Sequence, residues 1–141
     1  MSSFIHEEYP VAKSDYTRAG EASTDIKRRL RQLGVSSNVM RRVAVASYEV
    51  ELNLVIHSLG GRLILDVGPE GVFLVSEDVG PGIPDIAMAM REGYSTASEE
   101  ARSLGFGAGM GLPNMKRNAD EFDIQSELGK GTRISMRFRL A

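Results

Sequence analysis

Apolar residues recur at three- and four-residue steps through Tyr16, Ala19, Ala22, Ile26, Leu30 and Leu33, which predicts an amphipathic helix. Ser14 is a candidate cap at its start, and Gly34 a stop at its end. A second helix is expected from Ser36 or Ser37 to about Leu59, ahead of Gly60-Gly61, with Val43, Val50 and Leu54 on its buried side. The period then changes. "RLILDV" and "GVFLVSED" flank the turn composition "GPEG" and read as a hairpin. "DIAMAMRE", residues 85–92, reads as a short helix. Gly93 to Gly109 is poor in apolar residues and reads as a mobile loop, followed by a helix beginning near Pro113. At the C-terminal end, "EFDIQSE" and "TRISMRFRL" flank "LGKG" and predict a second hairpin. In its last strand Ile134, Met136, Phe138 and Leu140 alternate with Arg133, Ser135, Arg137 and Arg139, one face buried and one solvated. Residues 4–12 suit an edge strand ending near Pro10. With no internal repeat or boundary, the pattern predicts one α+β domain over residues 1–141. It is a two-layer sandwich with helices on one face of a mixed sheet.

Composition narrows the chemistry. The 141 residues are 42% hydrophobic and 26% charged, with a net charge of -2, so no overall positive field points to nucleic acid. There is no cysteine, which excludes disulfides, thiolate nucleophiles and cysteine–zinc sites. Two histidines, His6 and His57, are too few for a histidine-based metal site. No apolar run approaches a membrane span and no signal peptide opens the chain, so a cytoplasmic protein is expected.

Three segments carry candidate chemistry. In "YEVELNLVIH" the residues Glu49, Asn53 and His57 are spaced four apart and share one helical face. A carboxylate and a carboxamide one turn apart can hold a water or Mg²⁺, since hard cations take oxygen ligands; the same spacing also suits a polar stripe facing solvent. In "EDVGPGIPD", Asp78 ends an apolar strand, and Gly80 and Gly82 let backbone approach a ligand without a Cβ clash. A plain turn has the same composition. "GFGAGMGLPNMK" concentrates glycine directly before a helix. It matches neither the P-loop nor the dinucleotide fingerprint. What remains is glycine-rich backbone running into a helix N-terminus, a geometry that suits an anion.

Taken in order, Glu-x-x-x-Asn, Asp-x-Gly-x-Gly, Gly-x-Gly-x-Gly-x-Gly and Gly-Thr resemble the boxes of the GHKL, or Bergerat-fold, ATP-binding superfamily. The resemblance covers about residues 40–140. It is closest to the small bacterial serine-protein kinases and anti-sigma factors of partner-switching systems, in their switch-kinase branch. It implies ATP and Mg²⁺ as cofactors. Glu49 would act as general base, Asn53 as the Mg²⁺ ligand, Asp78 as the acceptor for the adenine amine, and Thr132 as a helper at the adenine. Gly80 and Gly82 would shape the pocket. Gly105, Gly107, Gly109, Met110 and Gly111 would hold the phosphates and hinge a lid over about 93–109. His57 is expected to be structural, and Lys116 and Arg117 to form a solvated basic face. No sensor or dimerisation helices accompany the boxes, so the acceptor is expected on another protein. The resemblance implies a serine or threonine of a STAS-type antagonist, with a sigma factor and a homodimer as further partners. The competing reading is a switch module that sequesters its partner under ATP control without transferring phosphate.

Overall fold

The computed structural model describes residues 4–83, 86–91 and 111–140. Strand β1 (Ile5–Val11) leads through a single 3-10 turn (Tyr16–Arg18) into α1 (Glu21–Gln32) and α2 (Ser37–His57). The hairpin β2 (Gly61–Gly68) and β3 (Gly71–Asp78) follows, then a short α3 (Ile86–Ala89). Helix α4 (Gly111–Asn118) precedes the second hairpin, β4 (Glu121–Glu127) and β5 (Gly131–Phe138). The architecture is the expected α+β sandwich.

Two local expectations change. Ser14 does not cap a helix: it sits at φ +58°, and α1 begins only after Gly20 at φ +100°. A left-handed residue cannot continue a helix, so Tyr16 and Ala19 fall outside α1 although they fit its stripe. The sheet is antiparallel at all four described pairings, in the order β1-β2-β3-β5-β4, not mixed. β5 opposes both β3 and β4, so β3 and β4 run the same way, but β5 lies between them. Burial explains that order. On β5 Thr132, Ile134, Met136 and Phe138 all point into the protein and are buried. No residue of β4 is fully buried, so the edge suits it.

The core lies between the inner face of this sheet and α1, α2 and α4. Ile26 and Leu30 from α1, Val43, Val50 and Leu54 from α2, and Met115 from α4 meet Leu65, Leu74 and Phe138 from the strands. Each fully buried aliphatic or aromatic side chain contributes about 1.5–3 kcal/mol by leaving water. The outer face is solvated and crossed by ion pairs, among them Arg62 with Glu8 and Glu77, and Arg137 with Glu121. Gly34 ends α1 as expected, at φ +75°, with Gly34 N–H donating to Arg31 O and Val35 N–H to Leu30 O. Ser36 caps α2 through a bond from Val39 N–H.

The start of α1 has no side-chain cap of its own. Glu51, 2% exposed, reaches across from α2 and accepts from Ala22 N–H (3.1 Å) and Ser23 N–H (3.0 Å). A carboxylate there satisfies two orphan amides and meets the positive end of the helix dipole. Glu51→Gln keeps one acceptor and sets an NH₂ group against a backbone N–H. It is expected to lower unfolding free energy by about 2–3 kcal/mol, read as a fall in the urea midpoint at unchanged slope.

Candidate active site

Helix α2 carries the first half of the site. Glu49 and Asn53 lie one turn apart on its flank, where α4 packs against it. A Cβ added to Gly111, the first residue of α4, would lie 3.3 Å from Asn53 Oδ1 and 3.4 Å from Glu49 Oε2. Two side-chain oxygens thus converge on the bare Cα at the entry to the helix that follows the glycine-rich stretch. Both are hard ligands of the kind Mg²⁺ takes alongside phosphate oxygens and water. Among the described residues no group of three or more His, Cys, Asp or Glu side chains could hold a metal alone.

The opposite ends of α4 are both tied to α2. Near its start, Asn114 Nδ2 donates to Glu49 Oε1 at 3.3 Å. At its end, Asn118 O accepts from Arg42 NH1 at 3.0 Å. Leu112 and Met115 bury the face between. Pro113 costs no hydrogen bond within the first turn, where N–H groups have no helical partner.

Asp78 forms the second half, at the end of β3. Its Oδ1 accepts from Thr132 N–H at 2.9 Å. Burial pushes its carboxyl above the usual carboxylate range, and that bond partly opposes the rise. Its surroundings are made of glycine. A Cβ on Gly80 would meet Asp78 Oδ1 at 3.6 Å and Ser58 Cα at 3.4 Å. At Gly131, φ +149°, a Cβ would overlap the Asp78 carbonyl oxygen. The Asp-x-Gly-x-Gly loop is stitched to the β4–β5 turn: Gly80 N–H donates to Lys130 O, and Gly129 N–H to Pro81 O. Gly82, at φ +77°, leaves no room for a side chain against Glu127 O. Thr132 Oγ1 pairs with Ser126 Oγ at 2.9 Å, and Ser126 Oγ accepts from Ile83 N–H at 2.7 Å. Asp78, Ser126 and Thr132 border an open cavity of about 370 Å³, which Glu49 and Asn53 do not line.

The two halves are joined by α2 itself. Its C-cap, Ser58, touches Gly80's open side, nine residues beyond Glu49. At 1.5 Å per residue the separation along the axis is about 13 Å, on the scale of a nucleoside triphosphate from base to γ-phosphate. His57, in the last turn of α2, is held below its ordinary pKa by burial. Lys116 and Arg117 are exposed, as expected. Gly105, Gly107, Gly109, Met110 and the lid expected at about 93–109 lie outside the described residues.

Sequence reasoning missed Asn114 and Glu51. Asn114 stands three residues beyond Gly111, and only its helical phase hinted that it shares the glycine's neighbours. Glu51 lies two residues from Glu49 on the same helix, off the four-residue spacing that singled Glu49 out, and the fold gives the two carboxylates opposite surroundings.

This fold and site define an ATPase of the Bergerat type. The chain belongs to the histidine kinase-, DNA gyrase B- and HSP90-like ATPase family, whose family model matches residues 37–141. It is 35% identical over 108 residues to the serine/threonine-protein kinase RsbT of Bacillus subtilis, covering 74% of this chain and 75% of that protein. It is 32% identical over 111 residues to the anti-sigma F factor of Clostridium kluyveri, covering 75% of each. An anti-sigma F factor of Geobacillus kaustophilus is 29% identical over 118 residues, covering 78% of this chain and 76% of that protein. Within its family the chain therefore falls in the kinase and anti-sigma regulatory branch. No helix among the described residues is long and apolar enough to cross a membrane.

Proposed function

We propose that this protein is a serine/threonine kinase of bacterial transcription control, a single ATP-binding domain over residues 1–141 with a lid at about 93–109. It binds Mg²⁺ and ATP along α2 and passes the γ-phosphoryl group to a serine or threonine of a STAS-type antagonist. The observation that carries this reading is the convergence of Glu49 Oε2 and Asn53 Oδ1 on the open side of Gly111. When bound, ATP supplies the transferable group and Mg²⁺ the charge that offsets its oxygens. Asn53 Oδ1 would hold the cation. Glu49 takes the proton of the acceptor hydroxyl as its oxygen bonds to phosphorus and ADP leaves. Asp78 accepts the adenine amine through Oδ2, since Thr132 N–H holds Oδ1. Gly80 and Gly82 keep the adenine loop close, and Thr132 ties it through Ser126. Gly105, Gly107, Gly109, Met110 and Gly111 receive the phosphates and hinge the lid. The use of ATP puts this work in the cytoplasm, and a sigma factor and a second copy of the chain are its further partners.

Purified protein incubated with γ-labelled ATP, Mg²⁺ and a STAS-type antagonist is expected to move label onto the antagonist, and to lose that activity with EDTA. ATP-dependent capture of a sigma factor with no label transferred would instead favour a sequestering switch module.

A further inference from the structure

We infer that Asn114 is a positioning residue for Glu49, and that through it the aim of the base depends on the docking of α4. The inference rests on the role proposed above for Glu49. Asn114 is partly buried, three residues into α4 from Gly111. Its carboxamide lies between two neighbours with opposite demands. Glu49 Oε1 lies 3.3 Å from Nδ2, and Arg117 NH1 lies 3.3 Å from Oδ1. A carboxylate only accepts and a guanidinium only donates, so these partners fix which end of the amide faces which. The NH₂ group donates to Glu49 and the carbonyl accepts from Arg117.

The consequence is a division of labour between the carboxylate oxygens. Oε1 is engaged by Asn114, while Oε2 is the one turned to the bare side of Gly111 beside Asn53 Oδ1. A glutamate has three rotatable side-chain bonds, and leaving it unheld would spread that oxygen over several positions. Holding it beforehand removes an orientational cost from the transfer step. The holding group comes from α4, whose far end Arg42 clasps to the same α2 helix. A shift of α4 that leaves α2 in place would therefore turn the base away without altering Glu49 or Asn53. Asn114 acts on rate, through Glu49, and not on nucleotide affinity.

The test compares wild type, Asn114→Ala, Asn114→Asp, Glu49→Ala and the Glu49→Ala/Asn114→Ala double variant. Single-turnover transfer from γ-labelled ATP to the STAS-type acceptor is measured beside calorimetric ATP affinity. Asn114→Ala is expected to slow transfer by about 10- to 100-fold, as a displaced catalytic group does, with ATP affinity held within about threefold. Asn114→Asp, which sets a second carboxylate against Glu49, should slow it at least as much. In the Glu49→Ala background the Asn114→Ala change should cost nothing further, because the two act as a unit. Additive losses would overturn the inference, as would a loss of ATP affinity matching the loss of rate, which would place Asn114 on a phosphate. Impaired Glu49→Ala with unimpaired Asn114→Ala sinks this inference alone. Unimpaired Glu49→Ala, or a wild type that transfers no label, sinks the reading beneath it as well.

Discussion

Glu49→Ala is expected to slow phosphoryl transfer by roughly 10²- to 10⁴-fold, the range a positioned acid–base group contributes, while ATP still binds. The side chain stands at the interface of α2 and α4 with one oxygen held by Asn114 and the other toward Gly111. Truncation removes the proposed proton acceptor but leaves Asn53, the backbone of α4 and the whole Asp78 half in place. Leu112 and Met115 still pack α4 onto the core, so the variant should fold. Calorimetry should give wild-type ATP affinity within a few-fold, and the single-turnover rate should fall. Transfer that persists undiminished would remove the base assignment, since the neighbouring carboxylate on α2, Glu51, is buried and committed to the start of α1.

Asp78→Asn should weaken ATP binding by about 100-fold, with little loss of stability. The replacement is nearly isosteric. Its carbonyl oxygen can still accept from Thr132 N–H, so the loop and strand stay together. Under the proposed adenine contact its NH₂ group would face the adenine amine, donor against donor, where the carboxylate would accept. A hydrogen bond to a charged group contributes about 1.5–3 kcal/mol, and leaving two donors opposed adds to the loss. At 1.4 kcal/mol per tenfold, that is about two orders of magnitude. The effect on folding runs the other way. Burial raises the Asp78 pKa in the folded protein, so the folded state holds its proton more tightly than the unfolded chain. That contribution favours folding below the ordinary carboxylate pKa and is lost as pH rises through the raised value. A neutral Asn removes the cost of the buried charge at neutral pH. Unchanged or slightly higher thermal stability without ATP, together with lost stabilisation by ATP, is the expected pair of readings. Wild-type ATP affinity in Asp78→Asn would exclude the adenine contact.

The sequence by itself determined what depends on neighbours a few residues apart. Three- and four-residue spacing set α1 and α2, alternation set β5, and turn residues set both hairpins. Helical phase placed Glu49 and Asn53 on one face, and an apolar strand ending at Asp78 placed that carboxylate at a sheet end. The order of the boxes was legible for the same reason, and the family match bears out the resemblance they carried. Tertiary structure decided what depends on distant residues coming together. The opposite surroundings of Glu49 and Glu51 come from partners 65 residues away in one case and 28 and 29 in the other. The antiparallel sheet followed from β5, whose inward face is the more deeply buried, entering between β3 and β4. The glycine crowding of Asp78 draws on Gly131, a residue on the other hairpin. Ser14 lost its cap to a left-handed Gly20 whose conformation no hydrophobic period encodes. A pattern along the chain records which face of an element is buried; it does not record what lies across from it.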